Sequence, residues 1–341
     1  MRQNEHISSV LANYDMDDVS AVHYAEGGTR NQNYEIWCKG KKEYFLRQRK
    51  VSSVIKDDIE FDHSLMDYLS DNDIIIPSPM PNVYDKTFTE YNGSYYELSR
   101  YIDGHPFSRD SKDHLIIGGK NLARFHSVGE SFRWKKTKSI GRIDPPGVAK
   151  ATIEELFQNP RERRAFPELK RVLHELDMVE NELNDDVFES LPQTLIHGDF
   201  HPGNIKYLNE QRLAFFDLDW VSIQPRLQDL AYGILFFASL REDDINPSDI
   251  YSLTDACKPS IKKSSIFISA YNSIAELSRE ELDFLPYFIR VAWICCRTDG
   301  SKKVSVENRL EFFKRDILTP LESLDELKDY LIEDLYPKRL T

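Results

Sequence analysis

Leu195-Ile196-His197-Gly198-Asp199-Phe200-His201-Pro202-Gly203-Asn204-Ile205, followed by Leu213-Ala214-Phe215-Phe216-Asp217-Leu218-Asp219-Trp220, holds polar residues at spacings that packing does not require. Asp199 and Asn204 stand in a D-x-x-x-x-N arrangement. Asp217 comes 13 residues after Asn204, at the end of an apolar, strand-like run. A carboxylate such as Asp199 can orient a hydroxyl and take its proton. An amide oxygen and a second carboxylate are hard ligands of the kind Mg2+ accepts. Asn204 is short and neutral, so it can bind a cation without adding charge that would repel phosphates.

Outward from this segment the chain has two textures. From Val22 to Arg49 it reads as strands, with a turn at Gly27-Gly28-Thr29-Arg30-Asn31 and a hairpin at Lys39-Gly40-Lys41. A helix is expected from Ile55 to Leu69, ended by Asp71-Asn72 and the prolines at 77, 79 and 81. Asn92-Gly93 between Phe88–Tyr91 and Tyr95–Leu98 is a strong hairpin signal. Beyond Asp103-Gly104-His105-Pro106 the pattern turns helical: Leu115, Gly119, Leu122 and His126 share a face, and further helices are expected at 153–157 and 165–183. The β island from Leu195 to Phe216 interrupts them. The expected fold is α+β and bilobal. A β-rich N-terminal lobe spans 1–99 and carries an antiparallel sheet, a hinge spans 100–104, and a mainly helical lobe spans 105–341.

Composition narrows the function classes. The chain has 341 residues, 40% hydrophobic and 30% charged, as ordinary globular proteins do. Its net charge of -13 argues against nucleic acid as a partner and suits a cationic one. The N-terminus lacks the basic-then-apolar order of a signal peptide, and the apolar run Leu230–Leu240 is too short to span a bilayer. Cys38, Cys257, Cys295 and Cys296 show no metal-like spacing, and the adjacent Cys295 and Cys296, in an apolar helical stretch, read as packing residues. A cytoplasmic protein with no membrane partner is expected.

His197-Gly198-Asp199-Phe200-His201-Pro202-Gly203-Asn204, with Phe216-Asp217-Leu218-Asp219 downstream, has the spacing of a kinase catalytic loop and resembles the aminoglycoside phosphotransferase / choline kinase family. Homoserine-kinase-like and spore-coat kinase-like proteins are among its members. The resemblance extends to Gly28–Arg47, to Leu122-Ala123-Arg124-Phe125-His126 and to Asp229-Leu230-Ala231. It implies ATP and Mg2+ as cofactors, Asp199 as catalytic base, and Asn204 and Asp217 as metal ligands. It also implies nucleotide recognition by the hinge, Ser99, Tyr101 and Ile102 included. Gly27-Gly28-Thr29 is either a phosphate cover or simply a turn.

One front-lobe position departs from the family pattern. Arg47 occupies the strand position where the family places a lysine against the α/β-phosphates. Asp62 falls among the apolar positions Ile55, Ile59, Met66 and Leu69, which makes it the expected partner, whereas Glu60 lies on the polar face. Arginine holds phosphate bidentately. The bland alternative is a surface arginine and an unrelated helix charge.

Other classes fit less well. No G-x-x-x-x-G-K-[ST] is present, and Gly118-Gly119-Lys120-Asn121 lies within a helical pattern. A His197/Asp199/His201 metallohydrolase cluster leaves Asn204 and Asp217 unexplained, and His197 reads instead as a brace for the loop. Eleven residues between Asp217 and Asp229 leave no room for a protein-kinase activation segment. The competitor from another class is a catalytically silent kinase-like binding or structural protein. Lys135, Lys136, Lys138 and Arg142 form either a solvated basic loop or a phosphate-contacting or substrate-gating one. The expected acceptor is a small molecule with a hydroxyl, amino alcohols, homoserine, aminosugars and aminoglycosides included. Asp219, Trp220, Tyr287, Phe288 and Trp293 are candidate wall residues, though such aromatics are also ordinary helical core.

Overall fold

The computed structural model describes residues 2–25, 31–50, 56–133, 140–322 and 324–336. The Gly27-Gly28-Thr29 turn and Lys135, Lys136 and Lys138 lie outside them. The chain divides into two compact units.

The first unit runs from residue 1 to Gly104 and also takes in Phe132, Arg133 and the segment Ala214–Phe216. Its sheet comprises β1 (Val19–Ala25), β2 (Gln32–Cys38), β3 (Lys41–Lys50), β4 (Thr89–Tyr91) and β5 (Ser94–Arg100), in the order β1-β2-β3-β5-β4. Neighbours pair antiparallel throughout. Two tight turns make this possible: Lys39 and Gly40 (φ 49° and 77°) and Asn92 and Gly93 (φ 47° and 70°) both take the left-handed backbone that a two-residue hairpin with native twist requires.

Side chains alternate across the sheet. One face carries Tyr34, Ile36, Tyr44, Leu46, Tyr96 and Leu98, and a helix that the sequence reading did not include, α1 (Arg2–Leu11), covers it with Ile7, Val10 and Leu11, followed by Tyr14. Burying each such side chain contributes roughly 1.5–3 kcal/mol. The opposite face carries Arg47, Arg49 and Glu97, and Asp62 of α2 (Lys56–Asp71) pairs with Arg49 there. Two pieces expected in the helical lobe join this unit for local reasons. Phe132 packs on the Phe61 and Tyr68 rings at 5.8 and 5.2 Å, and the Phe215 N–H donates to the Ile75 carbonyl at 2.9 Å.

The second unit is helical: α3 (Lys112–Gly129), α4 (Pro146–Leu156), α5 (Pro160–Ala165), α6 (Leu169–Glu182), α7 (Asp185–Ser190), α8 (Leu227–Phe236), α9 (Ile250–Leu253), α10 (Ile261–Asn272), α11 (Arg279–Lys302), α12 (Arg309–Lys314) and α13 (Leu324–Leu335). Within the β island lie β6 (Gln193–Ile196), β7 (Ile205–Tyr207), β8 (Leu213–Phe215) and β9 (Ser222–Pro225). The last of these lies between Asp217 and α8. Gly119 lets α3 approach α10, since a Cβ there would sit 2.4 Å from the Phe267 carbonyl oxygen. That glycine pair is packing. Phe288 and Trp293 are also core: both are fully buried, and the Trp293 indole donates to the Ile317 carbonyl at 2.8 Å. They are therefore not acceptor-wall residues. Arg142 likewise caps the Leu183 carbonyl at 3.2 Å and lies over the Phe188 ring, a structural role.

Candidate active site

β6 pairs antiparallel with β9, ending at Ile196↔Ser222. This ladder holds the stretch leading into Asp199 beside the stretch that follows Asp217. At the turn after β6, Gly198 takes φ 79°, and a Cβ there would meet the Trp220 carbonyl oxygen at 2.5 Å and Ile143 Cδ1 at 2.7 Å. Only glycine fits both the backbone conformation and the space.

The loop is clamped from below. Asp229, in the first turn of α8 and fully buried, accepts the main-chain N–H of His197 at 2.6 Å and of Gly198 at 2.9 Å. It also faces His126 Nε2 at 2.9 Å, and His126 Nδ1 reaches the Tyr271 hydroxyl at 2.7 Å. The helix that carries Asp229 is anchored in turn by a buried bidentate pair, Arg226 to Glu281, at 2.7 and 2.9 Å. His197 is fully buried, and its Nδ1 accepts the Asp199 N–H at 3.3 Å. This is the bracing role read from the sequence.

Asn204 donates from Nδ2 to the Asp199 carbonyl oxygen at 2.9 Å and to Asp199 Oδ2 at 3.0 Å. A main-chain oxygen only accepts, so the amide orientation is fixed and Oδ1 is the atom left for another partner. That hard oxygen fits Mg2+, as does the exposed carboxylate of Asp217. Asp217 has a left-handed backbone, φ 57° and ψ 65°, at the end of β8. Strain of this kind persists where surrounding structure enforces it.

Burial alone would raise the Asp199 carboxyl. The imidazoles of His201, with Nε2 at 3.6 Å, and His197, and the Asn204 amide outweigh it and hold the group below its usual range. His201 Nδ1 accepts the Gly203 N–H at 3.0 Å. Among the described residues no group of three or more His, Cys, Asp or Glu side chains is placed to hold a metal ion.

In the first unit, buried Asp62, expected to partner Arg47, pairs with Arg49 Nη1 at 2.8 Å, and Arg49 Nε lies 2.7 Å from Glu97 Oε1. His63 Nε2 is 3.2 Å from the same Glu97 oxygen. Arg47 and Arg49 share a face of β3. Arg47 stays half-buried, opposite Glu97 in the β3–β5 register. At the hinge, Ser99 is buried and spends its hydroxyl on the Phe45 carbonyl, so what it offers a ligand is main chain. Tyr101 carries the Lys42 ammonium 4.5 Å from its ring centroid, and both Tyr101 and Ile102 are half-buried.

A sheet-bearing unit, a helical unit and a braced D-x-x-x-x-N loop define the class: a bilobal kinase of the protein-kinase-like fold. Comparison with known proteins makes this specific. The phosphotransferase enzyme family (APH) matches residues 22–249, and the chain belongs to that family. It is a small-molecule kinase. The chain is 26% identical over 289 residues to homoserine kinase of Chelativorans sp. (strain BNC1), covering 84% of this chain and 81% of the relative. It is 24% identical over 292 residues to homoserine kinase of Rhodopseudomonas palustris (strain ATCC BAA-98 / CGA009), with the same coverage. Among solved structures, an amicoumacin kinase in complex with AMP-PNP and Ca2+ aligns with a TM-score of 0.70 at 15% identity, over 96% of this chain and 97% of that one. A microcompartment-associated aminopropanol kinase aligns at 0.61 and 16%, over 96% and 97%.

Proposed function

We propose that this kinase moves the γ-phosphoryl group of ATP to a hydroxyl of a small acceptor. The acceptor oxygen bonds to the γ-phosphorus, the bond from that phosphorus to the β,γ-bridging oxygen breaks, and the hydroxyl proton passes to Asp199. A carboxylate held below its usual range is a weak base. That suffices where the transition state is loose and proton transfer comes late. Its main contribution is orientation of the acceptor. Mg2+, when bound, neutralises charge developing on the phosphates, and Asn204 Oδ1 and Asp217 are the residues to hold it. Arg47 is assigned to the phosphates, and the main chain of Ser99–Ile102 to the base.

The observation that carries this reading is the Asn204 amide, locked on Asp199 through both its N–H groups with its oxygen left over. The homoserine kinase and aminopropanol kinase relatives support an amino-alcohol or hydroxy-amino-acid acceptor. We assign the reaction to the cytoplasm, which agrees with four free cysteines. No helix among the described residues is long and apolar enough to cross a membrane.

The test is ADP release with Mg·ATP over a panel of amino alcohols, homoserine, sugars and aminoglycosides. Asp199→Asn is expected to lower turnover by about 10^3-fold or more while leaving Mg·ATP-dependent thermal stabilisation in place. Stabilisation by Mg·ATP without ADP release from any acceptor would instead mark a silent binding protein.

A further inference from the structure

Asp144 is a buried carboxylate that the phosphoryl-transfer machinery does not use. It has a left-handed backbone (φ 53°) and is 8% exposed. Its Oδ2 accepts the Gln228 Nε2 hydrogen at 2.5 Å. Gln228 is itself 1% exposed, and its Oε1 has no hydrogen-bond partner among the described residues. A buried carbonyl-type oxygen without a donor costs about 1–3 kcal/mol, so one in a native structure calls for a ligand or a water.

The place is adjacent to the catalytic loop. Ile143, the neighbour of Asp144, packs where a Cβ on Gly198 would sit, and its N–H is held by Gln224 Oε1 at 2.9 Å. From α8, one turn after Gln228, comes Tyr232. Cys296 Sγ, half-buried on α11, lies 4.0 Å from its hydroxyl.

We propose that Asp144 and Gln228 bind the primary ammonium group of the acceptor, making this a kinase of amino alcohols or hydroxy amino acids. The proposal rests on the phosphotransferase reading above. An ammonium brings what the pair lacks: a positive charge for the carboxylate and N–H donors for Gln228 Oε1. A quaternary ammonium brings only the charge, and a neutral polyol no charge.

The electrostatics agree. Burial raises the Asp144 carboxyl to about 8; hydrogen bonds from Gln228 and Tyr232 pull it down, and the negative charges of Asp299 and Asp199 push it up. Cys295 and Cys296 on α11 are thiols pushed well above their ordinary range by burial and then by Asp144. The charged and titratable neighbours are thus Asp199, Tyr232, Cys295, Cys296, Asp299 and, further along its own segment, Arg142. Raised to about 8, the Asp144 carboxyl favours its protonated form at neutral pH, and a neighbouring cation favours the ionised one. Below pH 8 the KM for an amine acceptor therefore falls with rising pH, by up to about 10-fold per unit.

The experiment compares wild type with Asp144→Asn. Asparagine is isosteric, tolerates the left-handed backbone and replaces a carboxyl already neutral in the empty protein, so the variant folds. The probes are L-homoserine and ethanolamine, their deaminated counterparts 4-hydroxybutanoate and ethylene glycol, choline, and glucose as a neutral sugar. For the primary amines, D144N is expected to raise KM by about 30-fold or more, to abolish its pH dependence between 6 and 8, and to leave the KM for ATP unchanged. Unchanged amine KM in D144N would overturn the assignment, as would equal turnover of choline or the deaminated compounds by wild type. Turnover of glucose without turnover of any amine also overturns it while leaving the kinase reading standing. If no acceptor is phosphorylated the kinase reading fails, and the ammonium site is then judged by binding. Thermal stabilisation by homoserine or ethanolamine that D144N loses supports it; no stabilisation refutes it.

Discussion

Asp229 and Gly198 form one hinge-pin: the carboxylate takes the glycine's N–H at 2.9 Å, and the glycine takes the one backbone conformation that presents that N–H downward. The next residue is Asp199. The position of the proposed base is thus set by a buried carboxylate 30 residues away in sequence. That charge must find all its partners in the loop and in His126, because water does not reach it.

Asp229→Asn tests this. The amide keeps one acceptor oxygen and turns an NH2 toward a donor that needs an acceptor, leaving a buried N–H group unsatisfied. A stability loss of roughly 2–4 kcal/mol is expected from chemical denaturation. kcat is expected to fall by about 10^2-fold or more, with the KM for ATP nearly unchanged. Wild-type kcat in a stably folded D229N would show that the clamp does not position Asp199.

Gly198→Ala probes the same point through sterics. The new methyl would meet the Trp220 carbonyl at 2.5 Å, and alanine is strained at φ 79°. Displacing the loop by even about 1 Å can cost 10^2-fold in rate. Here kcat should drop further than stability does. Parallel loss of both in kinetics and melting would assign Gly198 to folding alone.

What the sequence disclosed follows the range of each interaction. Asp199 and Asn204 are five residues apart, so the motif they form was readable from spacing, whereas the hydrogen bond between their side chains was not read. The hairpins were readable because Lys39-Gly40 and Asn92-Gly93 encode their own turns. The helix α1 was not read, although Ile7, Val10, Leu11 and Tyr14 do form an i, i+3, i+4, i+7 set; what it covers is contributed by strands far along the chain. Arg47 and Arg49 differ by one strand period and point the same way, so alternation could not choose between them. That choice depends on where α2 docks. Asp144 and Gln228 are 84 residues apart, and nothing local announces their contact.

The two arginines of β3 are expected to separate by function. Arg49→Ala removes the arginine that pairs with the buried carboxylates of Asp62 and Glu97, which should destabilise the protein by about 3–5 kcal/mol. Arg47→Ala should change stability far less and raise the KM for ATP about 10-fold or more, with acceptor KM little changed. Unaltered nucleotide affinity in R47A would remove Arg47 from the phosphate site.

The buried Arg49–Glu97–His63 group predicts an acid-sensitive fold. Burial by itself would raise the Glu97 carboxyl, but Arg49, His63 and Arg47 together push it down to about 2. A carboxylate whose folded value lies below its unfolded one, near 4.5, stabilises the fold fully above the unfolded value. That stabilisation is lost as pH falls toward the folded value. Between pH 4.5 and 2 the loss from this one group approaches about 3 kcal/mol. Glu97→Gln cannot take up that proton. The variant should be less stable than wild type at pH 7, and the difference should shrink as urea denaturation is followed from pH 5 to pH 3. A constant difference across that range would mean that Glu97 is not held ionised by its neighbours.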